Sequence, residues 1–199
     1  MSIKSALRTL SSKEATMEEI GEFQRQIDHE TNDRGAAILM ATNVELALNR
    51  AVFRVLEWDQ ETYGQLTSEE GPAGSFSQKI HLGRALRIYG KDTQHNLDYI
   101  RLIRNAFAHS HAPISFETKE VKDAVAIMKQ VPPLPPVAVA AYVDFDVTEK
   151  TSRSDFKRAC DITTHNLLTW AFFLNVGRVL QGTPRSDELL QYLWRKPLP

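Results

Sequence analysis

Apolar residues recur along most of this chain at the three- and four-residue spacing of an α-helix facing a core. Ile20, Phe23 and Ile27 follow Thr16 and Glu19, whose spacing is that of a capping box, so a first helix is predicted over about Met17–His29. Asn32 or Asp33 caps a second, running to about Glu57. This segment is apolar on most of its circumference, as a central helix packed on several sides must be. Gly71-Pro72 and Gly74 mark a turn, and Ser75 or Ser77 caps a third helix that is expected to end near Tyr89-Gly90. A fourth is expected over about Thr93–Ala108, and Pro113 enforces a break after it. Ser115 or Thr118 starts a fifth, reaching about Lys129.

The pattern then changes. Val131-Pro-Pro-Leu-Pro-Pro136 lacks donors at its prolines and favours polyproline II, so a loop or extended arm is expected. Residues 137–147, rich in Val and aromatics, suit a short strand, although nothing nearby reads as its pairing partner. A long helix from about Ser154 to Gln181 and a short one from Ser186 through Trp194 complete the chain. There is no internal repeat. The expected fold class is all-α: a helical bundle of about six to seven helices with a proline-rich irregular insertion, forming one domain over residues 1–199.

Composition narrows the picture. At 199 residues, 42% hydrophobic and 25% charged, the chain is long enough to bury a real core. A formal net charge of -1 gives no bulk attraction to nucleic acid or acidic membranes. The single cysteine, Cys160, cannot form an intramolecular disulfide, which favours a reducing compartment, and a packed side chain is its expected role. The best apolar run, Leu167–Leu174, is far shorter than a membrane helix, so no bilayer-spanning segment is expected. The N-terminus up to Lys13 is basic but has no apolar signal region. Together these features predict a cytoplasmic protein.

Polar residues inside apolar helices are the candidates for chemistry. Glu45 and Asn49 lie four apart on the central helix, and a buried Glu needs a partner. In Leu97–His111, Leu97, Ile100, Ile103 and Phe107 share a core face, with Arg104 at its margin. An Arg there packs its stem and sends its guanidinium to a carboxylate or phosphate, so a Glu45–Arg104 contact in the core is predicted. Asp98, Arg101, Asn105 and His109 form a polar stripe on another side. Arg104 and His109 are five apart and diverge by about 140° unless the helix ends between them. Ser75, Ser77 and Lys79 at a helix start could hold an anion, although the segment lacks a full P-loop and a turn with a cap is the simpler reading. His109 and His111, with His81, His95 and His165 elsewhere, do not complete a ligand set, so no metal and no cofactor are expected.

Arg104-Asn105-Ala106-Phe107-Ala108-His109 resembles the motif of the HEPN superfamily, an Arg followed by a polar residue and then a His. Asp33–Leu39 (DRGAAIL), Gly71–Ile80 (GPAGSFSQKI) and Leu102–Ser110 (LIRNAFAHS), in this order, resemble the hallmark segments of the mannitol-repressor (MltR) family. That resemblance covers roughly Asn32–Lys129 and leaves the arm (about 131–150) and the C-terminal helices (about 153–195) without a motif. It implies a non-enzymatic transcriptional regulator that acts through a protein partner in the control of sugar-alcohol uptake or metabolism. Asp33, Arg34 and Glu45 would then be supporting residues. The HEPN likeness implies an alternative, a metal-independent endoribonuclease acting on RNA, with Arg104 stabilising the phosphate, His109 as base or acid, and Asn105 and Glu45 holding them. HEPN proteins of the toxin type carry a Tyr two residues after the His, where this chain has His111, which argues against that type. A symmetric homodimer with the Arg104–His109 region at or near its interface is expected. No helix-turn-helix, zinc-ligand spacing or basic recognition helix is visible, so no direct specific DNA binding is expected.

Overall fold

The structure is a computed structural model and describes residues 3, 16–56, 60–68, 70–134 and 150–180. The expected strand at 137–147 and the helix at Ser186–Trp194 lie outside the described residues. Among those described there are seven helices and no strand, an all-α bundle. They are α1 (Met17–His29), α2 (Asp33–Leu56), α3 (Gln60–Leu66), α4 (Phe76–Ala85), α5 (Lys91–His109), α6 (Lys119–Ala126) and α7 (Ser152–Leu180).

Helix α2 is the axis of the bundle and touches α1, α4, α5 and α7. Its contact with α7 is the most extensive between any two helices. Ala36, Ala37, Ala41, Ala47 and Ala51 are all buried along α2, and their small side chains let a neighbouring backbone approach closely. Met40, Val44, Leu48 and Val52 fill the remaining core positions of the same helix. By length and composition Asp33–Val55 could also cross a membrane, contrary to the expectation that no segment could. In the fold its apolar faces are taken up by four helices instead. A row of aromatic rings, Phe107–Phe116–Phe156, with centroids 5.1 and 5.4 Å apart, joins α5, the following loop and α7.

The helix ends follow local chemistry. Thr16 and Glu19 close both halves of the capping box on α1. Asn32 caps α2, its Oδ1 accepting from the N–H groups of Arg34 (2.9 Å) and Gly35 (3.1 Å). That leaves the Asp33 carboxylate available elsewhere. It accepts from Phe116 N at 3.0 Å and pairs with Arg153 Nη1 at 3.0 Å. Arg153 also donates to the carbonyls of Thr31 (2.9 Å) and Glu30. One carboxylate thus ties the α1–α2 junction to the α5–α6 loop and to the start of α7. At Gly71 a Cβ would lie 2.3 Å from the Leu66 carbonyl oxygen, so the turn ahead of α4 requires glycine.

Two elements depart from the sequence expectation. Helix α3 was not anticipated, and α4 stops at Ala85, short of Tyr89. The stop is a Schellman motif: Ile88 N donates to Gly83 O (3.0 Å) and Arg87 N to Arg84 O (3.1 Å). Buried Ile88 anchors it, and Tyr89 folds back over Gly83 to donate its hydroxyl to Ile80 O at 2.7 Å. Burial, with the negative charge of Asp98, pushes the Tyr89 phenol well above its usual range against the opposing pull of Arg84. The residue that turns left-handed is Arg87, at φ 57°, where glycine is the usual occupant.

After α6 the chain runs without regular structure from Lys129 to Leu134, as expected for an extended arm. Asn96 grips Lys129 by both backbone groups (2.9 and 2.7 Å), and Asn166 grips Pro132 O (3.0 Å) and Leu134 N (2.7 Å). His95 and His165, each the residue before one of those asparagines, donate through Nε2 to Ile127 O (3.0 Å) and Leu134 O (2.8 Å).

Because a left-handed non-glycine residue costs about 1–2 kcal/mol, Arg87→Gly is expected to raise stability by roughly 1 kcal/mol. Urea unfolding reads this as a higher midpoint at unchanged slope; an unchanged or lower midpoint would show that Arg87 contributes more than its backbone.

Candidate functional site

The three sequence segments that stand out chemically meet around α2. Glu45 leaves α2 between two cations. Lys79 Nζ, from α4, donates to its Oε1 at 3.0 Å, and Arg104 Nη2, from α5, donates to its Oε2 at 3.2 Å. The Arg104 guanidinium also lies over the Phe76 ring, 5.8 Å from its centroid. The predicted Glu45–Arg104 contact is present, but not inside the core: the two side chains are 25% and 28% exposed, and Lys79 is the most covered member at 12%. The cluster is a half-buried seam where α2, α4 and α5 converge. One carboxylate answers two cations, so its neighbourhood carries a positive excess.

A second link joins the first and third segments. Arg34 Nη2 donates to Ser110 O at 3.1 Å, satisfying a carbonyl just past the end of α5. Asp33 and Arg34, adjacent in sequence, therefore hold the α5–α6 loop from both sides. This is a positioning role.

The structure does not gather Arg104 and His109. Helix α5 is unbroken through His109, so the two diverge around it, Arg104 toward α2 and α4 and His109 to the exposed side. Asn105 is half-buried, and neither it nor His109 has a hydrogen-bond partner among the described residues. Within one chain Arg104 and His109 therefore face different sides of α5, while Asn105 and His109 lie one turn apart.

The remaining candidates have structural surroundings. Ser75 Oγ accepts from Gln78 N and Gln78 returns the bond, a complete capping box, while Lys79 is turned to Glu45. Ser77 is half-buried in the first turn of α4. No group of three or more metal-ligating side chains occurs among the described residues. Cys160 is 2% exposed, and burial, with the charge of Asp161, holds its thiol well above the ordinary range. Beside it, Lys157 pairs with Asp161 (2.7 Å) and Asp28 (3.3 Å). Three participants were not singled out in the sequence: Lys79 as a partner of Glu45, Arg153 as the partner of Asp33, and the paired asparagines. A basic residue four positions after the Ser75 cap signals the first; the others are long-range and leave no local signal.

No family model matches the chain, and no curated protein matches it. Among solved structures it is similar to a chain of the MtlR–HPr complex from Escherichia coli, with a TM-score of 0.56. The fold is MtlR-like. The match covers 74% of this chain and 97% of the other, at 14% identity. At that identity the likeness to MtlR is one of fold.

Because Glu45 serves two cations, Glu45→Ala is expected to cost more stability than either Lys79→Ala or Arg104→Ala, by about 1 kcal/mol for this partly exposed cluster. Chemical denaturation of the singles and of the Glu45/Arg104 double variant checks it, and additive effects would remove the coupling. Cys160 is expected to resist a thiol-specific reagent in the native state and to react at the rate of a free thiol in denaturant. Rapid native labelling would show that α7 opens readily.

Proposed function

We propose that this chain is a non-enzymatic regulator of the mannitol-repressor type, cytoplasmic, and working through contact with a protein partner in the control of sugar-alcohol uptake or metabolism. The observation that carries the reading is the fold shared with a protein solved in complex with HPr. The seam around Glu45 supports it, because Arg104 is engaged by a carboxylate of its own chain. An HPr-type protein is the partner to try first. Specific DNA binding by the chain alone is not part of the proposal, since a net charge of -1 gives counterion release little to work with.

The chain is further proposed to pair as a symmetric homodimer through the outer side of α5. There His95, Tyr99, Leu102, Ala106 and His109 follow one another at alternating spacings of four and three, and Leu102 is 50% exposed. Such pairing is also what the alternative requires. Metal-independent RNA cleavage by Arg104, Asn105 and His109 needs a second copy, and its one favouring observation is that Asn105 and His109 have no hydrogen-bond partner among the described residues.

Titration calorimetry of the chain with HPr from the same organism is expected to give a saturable one-to-one complex; absence of heat and of co-elution would overturn the choice of partner. Sedimentation at micromolar concentration is expected to give a dimer that Leu102→Glu converts to a monomer. Metal-free RNA degradation that disappears in His109→Ala would replace the regulatory reading with the nuclease.

A further inference from the structure

The arm between α6 and α7 has a burial rhythm unlike that of any helix. Met128, Val131 and Leu134 are half-buried, while Lys129, Gln130, Pro132 and Pro133 are exposed. A repeat of three is the period of polyproline II, which completes a turn every three residues, and not of an α-helix or a strand. The sequence Val131-Pro132-Pro133-Leu134 fits that period: the apolar residues fall on the inward ridge, and the two prolines fall on the two ridges that face out.

The arm is also held without occupying its outward groups. Its anchors are two His-Asn pairs, His95-Asn96 on α5 and His165-Asn166 on α7, and together they engage Ile127 O, both backbone groups of Lys129, Pro132 O, and both backbone groups of Leu134. Asn96 and His165 are each 2% exposed, so the anchors belong to the packed body of the bundle. The carbonyls of Val131 and Pro133 make no hydrogen bond among the described residues. Two exposed proline rings and two unengaged carbonyls thus sit on a backbone whose conformation is already fixed. Polyproline recognition uses these elements: rings that slot between aromatic side chains, and carbonyls that accept from an aromatic N–H or O–H in the groove. Preformation removes part of the ordering cost of binding.

We propose that residues 129–134 are a docking ligand presented by the bundle, and that its occupant is a protein with an aromatic-lined, polyproline-reading groove. This rests on the reading that the chain works through protein contact, and it places one such contact on the arm, which meets α5's outer side at His95. The test uses the full chain and, as a probe, an isotope-labelled WW domain, whose groove is built from aromatic side chains. Saturable shifts at the groove tryptophan are expected. Pro132→Ala and Pro133→Ala, both at exposed positions, are expected to weaken binding by about tenfold or more with unchanged thermal unfolding. Asn166→Ala leaves the prolines in place but loosens the arm, and is expected to weaken binding several-fold. No saturable shift, wild-type affinity in both proline variants, or tighter binding by Asn166→Ala would each overturn the proposal, the last by showing that the helices conceal the arm. The proline variants are titrated in parallel with HPr. If HPr binds all of them alike while the WW domain binds none, the regulatory reading stands and this inference alone falls.

Discussion

Burial of α2 on nearly every side is the constraint from which the other arrangements follow. A helix surrounded by four others cannot carry a charge without an answer to it, because desolvating an unpaired carboxylate costs far more than any single packing contact contributes. Glu45 is therefore placed where α2 meets both α4 and α5, and cations arrive from each side. Alanines let α7 close on another face of the same helix. The pairing of charge on one face and the absence of side-chain bulk on another set the positions of three helices relative to one axis.

The electrostatics at two points along that axis divide the labour. Near the start of α2, Asp33 and Arg34 contact backbone groups and Arg153, so their charges fix the course of the chain. At its middle, Glu45 contacts only side chains, and the seam stays open to water on one edge. The first set of charges is committed to the course of the chain, whereas the seam keeps an edge facing solvent.

Much of this was legible in the sequence wherever the cause is local. Thr16 with Glu19, Asn32 ahead of an apolar run, and Ser75 after a glycine turn each specify a helix start within four residues. Glu45 and Arg104 were readable as partners because each is a charge on an otherwise apolar face. Helix α3 was not readable: seven residues that include Gly64 offer too few apolar positions to show a period. The early end of α4 was missed because its stop signal is Arg87, a residue type that carries no turn signature. Asn96, Arg153 and Asn166 act on residues more than thirty positions away, and no periodicity encodes a bond of that range.

The pairing of α2 with α7 has a consequence for biosynthesis. Roughly a hundred residues separate the end of one helix from the start of the other, and Arg153 reaches back 120 positions to Asp33. At about 5–20 residues per second, a ribosome leaves α2 without its main cover for on the order of ten seconds. Throughout that interval the nascent chain displays a segment apolar enough to pass for a membrane span. Until α7 emerges, the other helices are the only cover α2 has, and a chain truncated before α7 is expected to expose that face and to aggregate in place of forming a smaller bundle.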